Sequence, residues 1–214
     1  MVRITGERAK HPLRRPPPRR LLLVHRPGDS EEDTRRFVSR RLARLGFPRL
    51  PEGQGGGKER VAAQPGGELS LYISSRTFSQ VLAHCASLAH RRLEALGFLV
   101  GELYRWQKKR YSVVGDLVTG ELESTSTSVR FRRDAFQTLC DRLDELDYDY
   151  VLIGWYHSHP GYSSFLSAVD MDTQRRMFTR PFHVALVADP VGGEVRAFRI
   201  REGRCLEVPY AVFG

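Results

Sequence analysis

Cysteine is scarce in this chain: three in 214 residues, Cys85, Cys140 and Cys205, with no Cys-x-x-Cys pair. That argues against a disulfide scaffold and against a cysteine-built metal site. An odd, widely spaced set reads as reduced, packed thiols of a cytoplasmic protein, and none of the three is placed as nucleophile or ligand. Long apolar runs are also missing. Leu21-Leu22-Leu23-Val24 is flanked by charge and falls far short of the roughly 20 residues a membrane helix needs, so neither a span nor a signal-peptide core is expected. Acidic residues are outnumbered, 25 against 34 Lys and Arg, for a net +9. The deficit is local: residues 1–60 carry the whole excess and the rest of the chain is balanced. That basic segment has no aromatic interleaving and no nucleic-acid motif, which makes nucleic acid a weak candidate partner.

The length allows one substantial core plus an appendage. Residues 1–60 open with a Pro/Arg-rich, extended stretch from Pro12 to Arg20. Leu21 to His25 reads as a strand. Asp29-Ser30-Glu31-Glu32-Asp33 signals a helix start, and Phe37, Val38, Leu42 and Leu45 supply a modest apolar stripe before Gly46. Gly53 to Gly57 reads as a linker. Three roles stay open for this piece: a small β–α unit packed on the core, a basic arm for an acidic partner, or a docking element for operon-mate enzymes.

From residue 68 to 214 the pattern is α/β. Expected are a strand at Leu69–Ile73, a helix at Ser75–Arg92, strands at Ala95–Tyr104 and Tyr111–Leu117, and a second helix at Arg133–Leu146. Strands at Val151–Tyr156, Phe182–Ala188 and Val195–Ile200 follow, with Gly192-Gly193 turning the last pair. Phe78, Val81, Leu82, Cys85 and Leu88 recur at helical spacing and read as core. His183 reads as a satisfied structural residue, and Trp155 as a core anchor.

The chemistry-bearing residues gather between positions 157 and 170: His157-Ser158-His159-Pro160, then Ser167 and Asp170. On a strand, residues i and i+2 share a face, so His157 and His159 reach one point while Ser158 points away. Pro160 ends the strand. Ser167 and Asp170 share a face of the helix that begins there. Two His and one Asp suit Zn²⁺ with a fourth position open, the ligand count of a catalytic rather than a structural site. The reaction class this points to is metal-assisted hydrolysis. Ser-x-x-Asp is equally an ordinary capping box, so both readings stand for that pair. Glu94, after Arg91 and Arg92, is by itself a solvated charge or a local ion pair. The apolar Leu96, Phe98, Leu99 and Val100 could instead draw it against the core and raise its pKa toward that of a general base.

Gly154-Trp155-Tyr156-His157-Ser158-His159-Pro160-Gly161-Tyr162, then Leu166-Ser167, Asp170 and Thr173-Gln174, resemble the signature of the JAMM (MPN+) zinc metalloproteases. Glu94-Ala95-Leu96-Gly97-Phe98-Leu99-Val100-Gly101 fits the family's upstream Glu-x-x-Gly-x-x-x-Gly. The similarity is greatest to the branch holding the proteasome-lid deubiquitinase and the signalosome isopeptidase. The resemblance implies the MPN (JAB1/MPN, cytidine-deaminase-like) fold: a curved, mostly antiparallel sheet flanked by helices, here with the small basic N-terminal appendage. It implies one Zn²⁺ per chain on His157, His159 and Asp170. It selects Glu94 over Glu102 as general base and makes Ser167 an oxyanion donor. The implied reaction is cleavage of a peptide or isopeptide bond after the extended C-terminal tail of ubiquitin or a ubiquitin-like protein. Thr119 to Phe131 is the candidate edge for that tail, with a plain edge strand and loop as the alternative. Ser163-Ser164-Phe165 departs from the Gly-Cys-Trp-like stretch of the nearest relatives and bears on the groove beside the ligands. Compact length points to a prokaryotic member working with conjugation-operon enzymes. Trimming of a sulfur-carrier protein would use the same site. A partner-binding scaffold is the other alternative, disfavoured because such scaffolds lack ligands that this chain has.

Overall fold

The computed structural model describes residues 13–47, 69–120, 122–124, 129–131 and 151–214. His11, Cys140, the Gly53–Gly57 linker, the helix expected at Arg133–Leu146 and part of the Thr119–Phe131 edge lie outside them.

Three helices are described. α1 (Glu31–Arg44) begins at Ser30, whose hydroxyl accepts from the Glu32 amide at 3.2 Å, with Glu31, Glu32 and Asp33 complementing the helix dipole. α2 (Ser75–Ala89) begins at Ser74, which accepts from the Thr77 amide at 3.1 Å. α3 (Ala168–Met177) begins at Ser167. The strands are β1 (Leu13–Arg14), β2 (Leu21–His25), β3 (Leu71–Ser74), β4 (Leu96–Trp106), β5 (Lys109–Val118), β6 (Leu122–Ser124) and β7 (Val129–Phe131). They continue with β8 (Val151–Ser158), β9 (Val184–Asp189), β10 (Glu194–Arg201), β11 (Arg204–Val208) and β12 (Tyr210–Phe213).

One mixed sheet runs in the order β11-β10-β9-β8-β4-β5-β3-β12-β2, with β1 beside β4; β6 and β7 form a separate hairpin. The longest ladder, β4 with β5, is antiparallel, and so are β4–β8, β9–β10, β10–β11 and β2–β12. The parallel pairs are β8–β9, β3–β5, β3–β12 and the short β1–β4. The sheet curls far enough for the Tyr210 hydroxyl on β12 to donate to the Val195 carbonyl on β10 at 3.0 Å. Phe78, Val81, Leu82 and Cys85 of α2 fill the concave side against Leu71, Ile73, Leu99, Ile153, Tyr156 and Tyr210. Leu23 of β2 and Val38 and Leu42 of α1 join the same cluster, so the N-terminal β–α unit packs on this core.

Two departures from the sequence expectations matter for the site. α2 stops at Ala89 instead of Arg92, because the Arg91, Arg92 and Leu93 amides fold back on Leu88 and Ala89 carbonyls, with Arg92 at φ 55°. That reversal delivers Glu94 to the mouth of β4. β8 continues through Ser158, so His157 sits inside the ladder, opposite Leu96 on one side and Val187 on the other. β11 and β12 were not anticipated. β12 is only four residues long, yet it is inserted between β2 and β3, a placement that no local periodicity encodes.

Gly154 permits the parallel β8–β9 contact: a Cβ there would overlap the Val184 carbonyl. Gly154→Ala should therefore cost about 1–3 kcal/mol, the usual range for forced overpacking. A urea titration that gave wild-type stability would show that these strands separate freely.

No helix among the described residues is long and apolar enough to cross a membrane.

Candidate metal and catalytic site

The end of β8 is locked from both sides. The Ser158 amide donates to the Ala95 carbonyl at 3.1 Å and its hydroxyl accepts from the Ala95 amide at 2.9 Å. The His159 amide donates to the Ala188 carbonyl at 2.9 Å. With Ser158 held inward, the flanking imidazoles turn the other way, as strand alternation requires. Their Nε2 atoms stand 3.1 Å apart. The Trp155 ring stacks on His157 at 4.6 Å and 15°. Trp155 is fixed in turn by donating from its indole nitrogen to Gln174 Oε1 at 2.6 Å. The half-buried Phe165 ring lies 4.7 Å from His159, beside the site.

α3 supplies the third donor. The Ser167 hydroxyl accepts from the Asp170 amide at 3.2 Å, and Asp170 Oδ2 accepts from the Ser167 amide at 2.8 Å, a complete capping box. The same Oδ2 lies 3.4 Å from His157 Nε2 and 3.7 Å from His159 Nε2. The cap thus aims the Asp170 carboxylate toward both imidazoles. The cap uses an acceptor lone pair of Ser167 and leaves the direction of its O–H to be set by another acceptor.

His157, His159 and Asp170 form a group able to hold a cation. Separations of 3.1, 3.4 and 3.7 Å bracket the roughly 3.3 Å donor–donor edge of a tetrahedral ion with bonds of about 2.0–2.1 Å. Protonation states agree with that donor set. Burial pushes the His157 imidazole down against the pull of Asp170, favouring the neutral ligand form. Burial alone would raise the Asp170 carboxyl. Where His157 does carry its proton, its charge, with hydrogen bonds from His157, His159 and Ser167, outweighs burial and holds the carboxyl well below the usual carboxylate range.

Glu94 is 6% exposed, within electrostatic reach of both His159 and Asp170. Its carboxyl is pushed up to about 7, chiefly by burial, with His159 opposing and Asp170 reinforcing. The chain reversal after α2 thus brings to the cluster a carboxyl that can carry or release a proton near neutrality.

Among the described residues, the other histidines and cysteines stand apart. His183 accepts from the Arg180 amide at 3.1 Å and is pushed down to about 4, mainly by burial; it is a structural residue. His84 Nδ1 lies 2.7 Å from the Tyr156 hydroxyl on the far face of β8. His25 bonds Thr34 and Glu207. Cys85 is buried, and burial pushes its thiol up to about 12, an inert state. Gln174, Asp189 and Glu194 escaped the sequence reading as working residues. Asp189 could have been found: an Asp ahead of Pro-x-Gly-Gly is a turn former that gathers backbone amides.

Residues 68–179, more than half of the chain, match the JAB family, described as JAB1/Mov34/MPN/PAD-1 ubiquitin protease. The chain is 35% identical over 127 residues to "Ubiquitin carboxyl-terminal hydrolase RPN11" of Saccharomyces cerevisiae, covering 57% of this chain and 39% of that protein. It is 33% identical over 126 residues to "COP9 signalosome complex subunit 5" of Drosophila melanogaster, covering 56% and 36%. It therefore spans less than two fifths of the length of these relatives. The solution structure of protein DSY2949 from Desulfitobacterium hafniense shares the fold, with a TM-score of 0.50 and 21% identity over 66% of this chain and 92% of that one. Glu94, His157, His159, Ser167 and Asp170 all fall inside the matched segment, and the chain belongs to the JAB1/Mov34/MPN/PAD-1 family.

Proposed function

We propose that residues 68–214 form a zinc-dependent peptidase cleaving a peptide or isopeptide bond at the C-terminal tail of ubiquitin or a ubiquitin-like protein. One observation carries this reading. Two imidazole nitrogens and one carboxylate oxygen face a common point, with a carboxyl pushed up to about 7 beside it. Family membership and the names of the relatives, a ubiquitin carboxyl-terminal hydrolase and a signalosome subunit, support the substrate class.

His157 and His159, as neutral imidazoles, and Asp170, as a carboxylate, would hold the ion. Zinc bound there supplies a Lewis acid that polarises the scissile carbonyl and acidifies water toward neutrality. Glu94 takes a proton from the attacking water and returns it to the departing amine, a task suited to a pKa near the working pH. Ser167 turns its O–H toward the developing oxyanion while its lone pair keeps the helix capped. The Trp155–Gln174 contact holds the His157 ring, so the base and ligands meet on a preformed frame. The complete donor set speaks against a purely scaffolding role.

The test is incubation of the zinc-loaded protein with ubiquitin-like proteins bearing a C-terminal extension, including any encoded beside this gene. Mass spectrometry should place the cut directly after the tail, and chelation should abolish it. Stoichiometric zinc is expected. A carefully purified protein that takes up no zinc and cuts no such fusion would overturn the reading.

A further inference from the structure

The loop from Gly161 to Leu166 joins His159-Pro160 to the Ser167 cap, so it sets the spacing between one candidate ligand and the helix that carries another. It is fastened by two acids. Asp189 Oδ1 accepts from the amides of Gly161, Val191 and Gly192, each at 2.9 Å, and its Oδ2 accepts from the Ser163 amide at 2.9 Å. Glu194 Oε2 accepts from the Ser163 hydroxyl at 2.8 Å and the Ser164 amide at 3.3 Å. Ser163 is held at φ 70°, a left-handed conformation that costs a non-glycine residue and persists only when its surroundings impose it.

Glu194 also looks outward to the N-terminal unit. Its Oε1 accepts from Arg35 of α1 at 3.1 Å, and Arg35 is steadied by Glu31 one turn earlier, at 3.1 Å. Arg196 pairs with Glu31 and lies 3.9 Å from Glu194. The Glu194 side chain is 9% exposed, so its charge needs compensation, and α1 supplies part of it. Burial would raise this carboxyl, but the Ser163 and Arg35 hydrogen bonds and the charge on Arg196 bring it below its ordinary value.

We propose that α1 is a positioning element for the cation site, acting through Arg35 and Glu194 on the loop between His159 and Asp170. Neither residue is a ligand. Their effect is to hold Ser163 and Ser164, and so the relative placement of the donors, within the roughly 0.5 Å that a functional site tolerates. This gives part of the N-terminal segment a definite task, and it rests on the reading that the site binds zinc.

The experiment is a zinc dissociation constant, by competition with a chromogenic chelator, for the full chain and three sets of variants. Glu194→Ala should weaken zinc by about 10-fold, the low end of what outer-shell partners supply. Arg35→Ala should lose less in the same direction, and Arg35→Lys should recover most of it. Arg36→Ala, which breaks only an exposed pair with Glu32 on the same helix, should bind like wild type. Arg35 is half exposed, so its variants report even if Glu194→Ala fails to fold. Wild-type affinity in Arg35→Ala, or an equal loss in Arg36→Ala, overturns the positioning role while leaving the zinc reading intact. A wild-type protein that binds no zinc defeats the zinc reading itself, and this one with it.

Discussion

Asp170→Asn should lose zinc affinity by more than about 100-fold, beyond the range of outer-shell partners, and with it peptidase activity. The substitution is chosen for what it keeps. An amide oxygen can still accept from the Ser167 amide, and the Ser167 hydroxyl still receives the residue 170 amide, so the start of α3 survives. What disappears is the negative charge that two imidazoles face at 3.4 and 3.7 Å. A pH effect on stability follows from the same charge. The folded-state pKa of Asp170 lies below its ordinary 3.8. The group's stabilisation is therefore complete above about that pH and fades as the pH falls further. Asp170→Asn should lose this acid-range dependence. Elemental analysis and chemical denaturation across pH measure the two effects. A variant with full zinc content would remove Asp170 from the ligand set.

Glu94→Gln should do the opposite: retain zinc and lose about 100- to 10 000-fold in kcat, the span of a lost general acid–base group. Glutamine preserves shape and hydrogen-bonding capacity but cannot take the proton. Wild-type activity should climb with pH as the carboxylate forms, along an acid limb at or below about 7, since a bound cation favours ionisation. The variant should lack that limb. Stability of the metal-free protein offers a check that needs no substrate. The folded-state pKa is about 7 against an ordinary 4.5, so the folded chain keeps a proton that the unfolded chain releases. Between those pH values metal-free wild type should lose stability as pH rises, and Glu94→Gln should lose less. Full activity in the variant would take Glu94 out of the mechanism.

Much of the centre was legible beforehand because its parts obey short-range rules. A two-residue period places His157 and His159 together, and a three-residue helical spacing joins Ser167 to Asp170. The packing stripe of α2 was likewise readable from helical spacing. Glu94 was harder: locally it resembled a solvated charge, and the family resemblance selected it over Glu102. Its burial depends on where the chain reverses after Ala89, and that turn rests on hydrogen bonds back to the end of α2. Gln174 was visible in the motif without a role, since nothing local says that its amide meets an indole.

By itself, then, the sequence determined the candidate donor types, their spacing on strand and helix, the neutral charge of the segment that carries them, and the family resemblance. Tertiary structure decided what lies between distant positions. It set Glu94 beside Asp170, threaded the short β12 between β2 and β3, and tied Arg35 of the basic N-terminal region through Glu194 to the loop beside the candidate ligands. The reason is physical. Periodicity and capping act over a few residues, whereas desolvation of a carboxyl and pairing of a buried charge depend on which surfaces the whole chain brings together.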